Sequence, residues 1–293
     1  MGSSTIPVDL LNPGQVMAAL GLAEAAESLL GGEVLSAFLG DAGTTQAEFC
    51  VESGNGADSV REVIEFLRSA TVAAVVPTKS DLSTKEWNVE EVKASGLVSP
   101  SPVPRAPATL PALLQSGGRS ITLSSWADGA HCGLDNVKFW AGSQGKPGAA
   151  FAQDMLKLIQ QTDTEQCLSD PFSCATPMSG SFRFDWRRDY IPLDAGFSPN
   201  KHKKTVTMVG FPFTEILAAI GLRHARPQRI DKLHYRYGVW SRLLPNVLAR
   251  PMLGAVDIGV PARTFRMTLG WPGKEGQARC IIDAREEILP WNR

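Results

Sequence analysis

A ten-residue pattern that occurs twice, 200 positions apart, constrains the fold of this 293-residue chain more than any other feature. Residues 16–25 (VMAALGLAEA) and 216–225 (ILAAIGLRHA) match position for position, except that Ala23 and Glu24 of the first copy correspond to Arg223 and His224 of the second. Each copy follows a short apolar segment and precedes a candidate strand. Recurrence at a fixed offset indicates a repeated structural unit. The sequence therefore predicts an α+β fold of two ferredoxin/RRM-like units related by an internal repeat. The alternative is a single mixed α+β domain with the middle region as an insertion.

Local signals predict the helices and strands around this repeat. Asn12 and Pro13 are typical of a helix start, and Gly31 is typical of a helix end. Ser59 and Glu62 form a capping box for a second helix. A third helix is predicted at 149–161, and apolar or alternating runs predict strands at 46–52, 71–76, 121–126, 233–239, 264–269 and 278–283.

Composition divides the chain into four segments. Five prolines between residues 96 and 118 predict a linker or surface arm there. An acidic N-terminal α+β unit is expected at 1–95. A central part with a glycine-rich loop and a helix is expected at 119–200, and a basic C-terminal α+β unit at 201–293.

The net charge of -1 conceals a strong asymmetry. Residues 181–293 carry 19 Lys and Arg against 10 Asp and Glu, whereas residues 1–180 carry 10 against 20. Such a difference between two halves predicts that the basic half contacts nucleic-acid phosphates. The competing interpretation is that the two halves face each other.

The stretch at 181–200 (SFRFDWRRDYIPLDAGFSPN) interleaves aromatic rings with arginines. Rings that stack on bases and forked cations that bind phosphates suit a flexible polyanion. The competing structural interpretation, given equal weight, is a strand whose aromatics are core and whose arginines and aspartates pair with each other.

Two other segments add cations, namely the loop before the third helix and the run that follows the second repeat copy. The loop is typical of an approach to phosphate, although its spacing excludes a Walker A motif. For the later run, ordinary solvated surface charge is the competing interpretation. The predicted nucleic-acid-binding residues are Lys138, Trp140, Lys146, Arg183, Trp186, Arg187, Arg188, Tyr190, Lys201, Lys203, Lys204, Arg226, Arg229, Lys232 and Arg236.

Catalytic and metal-binding patterns are sparse. The four histidines lack metal-ligand spacing, and no GxSxG motif occurs. Asp185, Asp189 and Asp194 could bind Mg²⁺, but the arginines beside them favour salt bridges instead. We therefore expect no catalytic residues, no metal, no cofactor and no enzymatic activity.

Cysteine usage and hydropathy bear on the compartment. Five cysteines without CxxC spacing predict reduced thiols, and a bond between Cys167 and Cys174 is expected not to form. No apolar run approaches the roughly 18 residues of a membrane span, and no signal peptide is recognisable. A cytoplasmic protein without membrane contact is the expectation.

Several long motifs, in a constant order, resemble the small Cas-eight-like subunit family of type I-G (formerly I-U) CRISPR-Cas systems. The motifs are IPVDLLNPGQV, DNVKFWAG, FRFDWRRDYIPLDAGFSPN, EILAAIGL, KLHYRYGV and FRMTLGWPGKEGQARCIIDA. The resemblance implies a subunit of the crRNA-guided surveillance complex called Cascade. Its expected partners are crRNA, target DNA, the other effector subunits and the helicase-nuclease that Cascade recruits.

In such complexes guide pairing reads the sequence, and protein contacts are made mainly to backbone and duplex shape. The resemblance therefore favours a non-catalytic nucleic-acid-binding subunit. Two alternatives stay open. One is a metal-dependent nuclease or crRNA-processing enzyme centred on the three aspartates, and the other is a protein-only adaptor that works through its acidic half.

Overall fold

The computed structural model describes residues 2–99, 101–102, 106–126, 146–178, 180–189, 208–271 and 279–288. The elements of the first half are β1 (Gly2–Asp9), α1 (Pro13–Leu30), β2 (Val34–Leu39), β3 (Gln46–Ser53), α2 (Ser59–Ser69), β4 (Thr71–Pro77), β5 (Glu90–Ala94), β6 (Ala112–Ser116) and β7 (Arg119–Leu123). Those of the second half are α3 (Gly148–Ile159), α4 (Thr164–Ser169), β8 (Thr176–Pro177), β9 (Val209–Gly210), α5 (Pro212–His224), β10 (Gln228–Arg229), β11 (His234–Trp240), β12 (Leu244–Pro245), α6 (Asn246–Leu253), β13 (Ala262–Gly270) and β14 (Cys280–Glu287).

These elements form an α+β fold, as predicted. Within the described ranges the strands make three four-stranded sheets, in the orders β1-β3-β2-β12, β5-β4-β6-β7 and β10-β11-β13-β14, and β8 pairs with β9. Only β4 and β5 pair in parallel among these strands. Buried side chains from all three large sheets belong to one continuous core. A shared core fits the alternative prediction of a single mixed domain.

The N-terminal elements follow the ferredoxin-like order through its first five members. The chain runs β1-α1-β2-β3-α2, and β3 lies between β1 and β2, antiparallel to both. The sixth element of such a unit would be a strand of the same sheet. Here β4 pairs with β5 and β6 instead.

The second copy of the repeated pattern forms α5. The strand before it, β9, pairs with β8 and does not join the sheet of β10, β11, β13 and β14. The two copies therefore differ in strand arrangement, and their origin from an internal repeat stays a prediction.

Helices α1 and α5 cross at the glycine that both copies contain. A Cβ on Gly21 would overlap the carbonyl oxygen of Leu217, and a Cβ on Gly221 would overlap that of Met17. Only glycine permits two helix backbones to approach this closely. At the offset of 200, Gly21 is equivalent to Gly221 and Met17 to Leu217, so the contact has the same form seen from either helix.

Helix ends follow the predicted capping chemistry, with one correction. The Asn12 side chain accepts a hydrogen bond from the Gly14 N–H, and Gly31 ends α1 with φ 66°. In α2 the N-cap is Asp58, whose carboxylate accepts from the Arg61 N–H. Ser59, the predicted cap, is already helical, because the acidic residue before it satisfies the same free N–H.

The segment predicted as a linker is partly a strand. Within 96–118, β6 pairs with β4 through Leu113 and Ala73. That pairing corrects the linker prediction for residues 112–116. Prolines stop short of β6, so its N–H groups remain available for the ladder.

The prediction that all cysteines are reduced is wrong. Cys167 and Cys174 form a disulfide with Cα atoms 5.8 Å apart, while Cys50 and Cys280 are buried and are not disulfide-bonded. Helix α4 ends at Ser169 and the 3₁₀ helix Pro171–Ser173 reverses the chain. This turn brings the two sulfurs into bonding distance, which spacing in the sequence does not reveal.

Candidate functional site

The predicted contact stretch is anchored inside the fold over its described part, residues 181–189. Phe182 and Phe184 are 3% and 0% exposed. Their rings stack with centroids 5.6 Å apart, and Phe182 also packs edge-on against Trp126 at 5.0 Å. These two aromatics therefore belong to the core and are not available to stack on bases.

Arg187 is bound to an acid two residues away. Its Nη2 donates to Asp185 Oδ2 at 2.6 Å and to the Phe172 carbonyl at 2.6 Å. Its guanidinium also lies over the Phe211 ring, 3.4 Å from the centroid. Asp185 is 0% exposed and further accepts from Asn12 Nδ2 at 3.0 Å. Arg187 therefore holds a buried carboxylate, and a second role for its 31% exposed side chain as a phosphate contact stays a prediction.

A second buried acid fixes the backbone of the same stretch. Glu215 of α5 is 0% exposed and accepts from the N–H groups of Phe184 and Asp185, at 3.4 and 3.1 Å. Since Asp185 also bonds the N-cap of α1, the stretch joins the ends of the two repeated helices. The structural interpretation holds for these residues, although they form a loop and a short 3₁₀ helix and not a strand.

Other predicted residues also have internal partners. Lys146 pairs with Asp154 at 2.7 Å and lies over the Phe151 ring. Arg226 donates to the Ser125 carbonyl, and Arg229 donates to the Asp231 carbonyl at 3.4 Å. Lys232 is exposed in the turn before β11.

Two members of the central group have a described backbone setting. Arg183 is half-buried and adopts φ 68°, an uncommon value for a side chain with a Cβ. Trp186 is half-buried and packs against the core.

The remaining predicted residues in the loops lie outside the described part of the chain, wholly or in their side chains. Arg188 lies in the 3₁₀ helix Trp186–Asp189, but its side chain is outside the described part, as is that of Asp189. Outside the described residues altogether are Lys138, Trp140, Tyr190, Lys201, Lys203, Lys204 and Asp194.

Asp185, one of the three aspartates of the alternative metal site, is already occupied by other partners. Asp185 already receives a bidentate guanidinium and an amide, so both of its oxygens are engaged. Among the described residues no group of three His, Cys, Asp or Glu side chains could hold a metal ion.

A third buried acid, Glu24, lies at the other end of the pair of helices α1 and α5. Glu24 of α1 is 2% exposed and accepts from Arg250 at 2.7 and 2.9 Å. His224 Nδ1 of α5 lies 3.4 Å from the same carboxylate. Burial and the cations Arg223 and Arg250 nevertheless lower the pKa of His224 to about 4. At neutral pH, His224 is therefore uncharged.

Three arginines form a row across the C-terminal sheet. Arg236 of β11 is directly opposite Arg266 of β13, which is directly opposite Arg285 of β14. Side chains so paired share one face, with Cβ atoms about 5 Å apart. Arg285 is exposed, and it makes no hydrogen bond or ion pair to another described residue. We call Arg236, Arg266 and Arg285 the arginine row.

Carboxylates on the same face accept hydrogen bonds from only some of the N–H groups of the arginine row. Glu287 accepts from Arg236 at 2.8 Å and from Arg266 at 3.4 Å. Asp283 is exposed on the strand that carries Arg285. The Nε of Arg266 is buried and has no hydrogen-bond partner among the described residues. The arginine row therefore has guanidinium N–H groups that do not donate to a carboxylate on the same face.

The prediction from sequence included Arg236 but missed Arg266 and Arg285. The signal in β13 is the alternation of Arg266 and Thr268 with Phe265, Met267 and Leu269, which indicates one buried and one open face. Only the strand register shows that the three arginines are neighbours. A register cannot be derived from one strand alone.

No protein-family model, no curated protein and no solved structure matches the chain. None of the described helices is both long and apolar enough to cross a membrane.

Proposed function

We propose that the chain is a non-catalytic nucleic-acid-binding subunit of a type I-G CRISPR surveillance complex, and that the arginine row binds the phosphate backbone of crRNA or target DNA. The observation that carries the proposal is the alignment of Arg236, Arg266 and Arg285 on adjacent strands. Like charges directly opposite each other destabilise a sheet. A row of three is therefore expected where an anion is bound.

The geometry favours phosphate over other anions. A guanidinium presents its N–H groups in a planar fork that matches two phosphate oxygens. Three such forks, arranged across three strands, suit consecutive groups of a chain better than a single small ion. Arg285, which is exposed, and the Arg266 side chain, which is 28% exposed, supply the contacts.

The family resemblance supports the same assignment. Arg236 lies in the motif KLHYRYGV and Arg266 in FRMTLGWPGKEGQARCIIDA. Within a surveillance complex such a subunit would contact the backbone, since guide pairing reads the sequence. Contacts to other effector subunits and recruitment of the helicase-nuclease belong to the same proposal. The localisation that follows is cytoplasmic.

The test replaces the two arginines that have unused donors. In the double variant Arg266→Gln/Arg285→Gln, we expect weaker binding of labelled single-stranded RNA and DNA. The slope of log K against log[salt] should fall by about 1.5, because each lost phosphate contact removes about 0.7–0.9. Fluorescence anisotropy across a salt series measures both quantities.

A matched control removes the same charge from the acidic half. Arg61 and Arg119 are comparably exposed and are paired with Glu65 and Glu62. The variant Arg61→Gln/Arg119→Gln should leave the salt slope unchanged. Equal losses in the two double variants would show that only net charge matters, and the site would then be wrong.

Two outcomes would favour the other functions. Cleavage of labelled RNA or DNA in the presence of Mg²⁺ or Mn²⁺ would indicate an enzyme. Incorporation into the complex without crosslinks to nucleic acid would indicate a protein-only adaptor.

A further inference from the structure

A pocket lies beside the arginine row, between the C-terminal sheet and the loop that follows α6. Its cavity volume is about 410 Å³, within the usual range for small-ligand sites. Met252, Val256 and Val260 line its apolar part, and Gly238 and Thr264 line it from the sheet. The pocket therefore has the volume to take a small organic group.

The strand register places this pocket next to the row on the same face. Gly238 is opposite Thr264, which is opposite Glu287. Gly238 and Thr264 lie two residues from Arg236 and Arg266 along their strands, a separation of about 7 Å. A group attached to a phosphate on the row can therefore reach the pocket.

Gly238 is required for the close fit of the loop against the sheet. A Cβ at this position would overlap the carbonyl oxygen of Met252 and lie 3.3 Å from the Cα of Ala255. Any larger residue would push the end of α6 outward. The glycine therefore keeps the loop pressed against the sheet at this wall of the pocket.

The carboxylate of Asp257 favours some ligand groups in the pocket over others. The carboxylate of Asp257 is exposed in the pocket lining, and its Oδ1 accepts from the Gly259 N–H. A phosphate would be repelled there. A neutral group that carries hydrogen-bond donors would be attracted, as when an aspartate accepts from the amino group of cytosine.

Resting on the proposed function, we propose that the pocket holds one unstacked base of the strand whose phosphate lies on the arginine row, with the exocyclic amino group of that base toward Asp257. Enzymes and binding proteins that take a base out of a stack hold it between apolar or aromatic side chains. The walls of Met252, Val256 and Val260 are of this kind. The arginine row supplies the phosphate contact that the pocket itself excludes.

The experiment compares three single-stranded DNA oligomers of equal length on the full chain: oligo-dC, oligo-dT and an abasic oligomer. We expect oligo-dC to bind about tenfold more tightly than the abasic oligomer, which is the size of one base–side-chain stack. The salt slope should be the same for all three.

A pocket-filling variant tests the location. Val256 is 50% exposed, so Val256→Trp should fold and occupy the pocket, and it should lower oligo-dC affinity to that of the abasic oligomer. The matched control Val247→Trp, at a 64% exposed position of α6 outside the pocket, should leave the preference intact. Equal behaviour of the two variants would overturn the pocket assignment.

A conservative change tests the acid. Because thymine has no exocyclic amino group, oligo-dC should also bind more tightly than oligo-dT, and Asp257→Asn should reduce that preference without changing abasic binding. Equal affinity of the wild-type chain for all three oligomers, with a normal salt slope, would overturn the pocket proposal and leave the proposed function standing. If no oligomer binds, both are wrong.

Discussion

Arginine has opposite roles in two regions of this molecule. At the junction of α1 and α5, Arg187 and Arg250 each serve a carboxylate that is 2% exposed or less. On the C-terminal sheet, the arginine row has three guanidinium groups, of which Arg236 and Arg266 share Glu287. In the first region the acids require the arginines, and in the second the arginines outnumber the acids that they contact.

The difference teaches how to separate arginines that the fold requires from arginines that it does not require. A buried carboxylate without its cation would be left as an uncompensated charge, so its partner cannot be spared. An exposed arginine opposite another arginine contributes little or nothing to stability. The degree of burial of the acid, more than the number of cations, therefore decides which arginines the fold requires.

The largest expected effect on stability is at Arg187, in the buried junction of α1 and α5. Arg187→Met should lower the free energy of unfolding by about 3–5 kcal/mol, since it leaves Asp185 charged and buried. Arg285→Met should change it by about 0.5 kcal/mol or less. Denaturant unfolding followed by tryptophan fluorescence, under fixed redox conditions, measures both values.

A second variant checks the cause of that loss. Asp185→Asn in the Arg187→Met background removes the unpaired charge and keeps an amide that can accept from Asn12. It should recover part of the lost stability. If the double variant is as unstable as Arg187→Met alone, loss of packing and not the buried charge explains the result.

A pH effect is expected at the other end of the same junction. The pKa of His224 is about 4 in the folded chain, compared with 6.5 for an ordinary histidine, because of burial and of Arg223 and Arg250. The unfolded chain therefore binds more protons between these values, and stability should fall as pH falls from about 6.5 to 4. Above pH 6.5 this contribution is constant.

The variant His224→Gln isolates this residue. Its unfolding free energy, measured from pH 7.5 to 4, should depend less on pH than that of the unchanged chain, so the two curves converge toward acid pH. Parallel curves would mean that His224 is protonated equally in both states.

The smallest expected effect on stability is at Arg285, in the exposed arginine row. Arg285→Thr relieves the repulsion from Arg266 and introduces a residue that favours strands, so it should raise the free energy of unfolding by about 0.2–1 kcal/mol. The same variant should bind nucleic acid more weakly. A stability gain with unchanged binding would remove Arg285 from the proposed site.

Much of the fold could be predicted from local sequence. The capping residues Asn12 and Gly31 and the apolar periodicity identified α1, and the alternating runs identified β11, β13 and β14 to within a few residues. These signals are local, so one sequence is sufficient. Strands β2, β5 and β6 were missed because they have little alternation or follow a proline-rich stretch.

The candidate site was harder to predict, because it depends on which residues the fold brings together. The mixture of aromatics and arginines at 181–187 is equally suited to a buried anchor and to a ligand contact. Glu215, 30 residues further along, decides between them. Likewise, only the register of β13 against β14 turns Arg266 and Arg285 into neighbours.

The glycine contact between α1 and α5 bears on how relatives of this chain can be recognised. Since Gly21 and Gly221 meet backbone to backbone, neither position can gain a side chain unless the helices separate. Two alanine-rich helices, each with one such glycine, should therefore persist in distant relatives after the surface has diverged beyond detection. A search for this paired signature would reach sequences that comparison of whole chains does not.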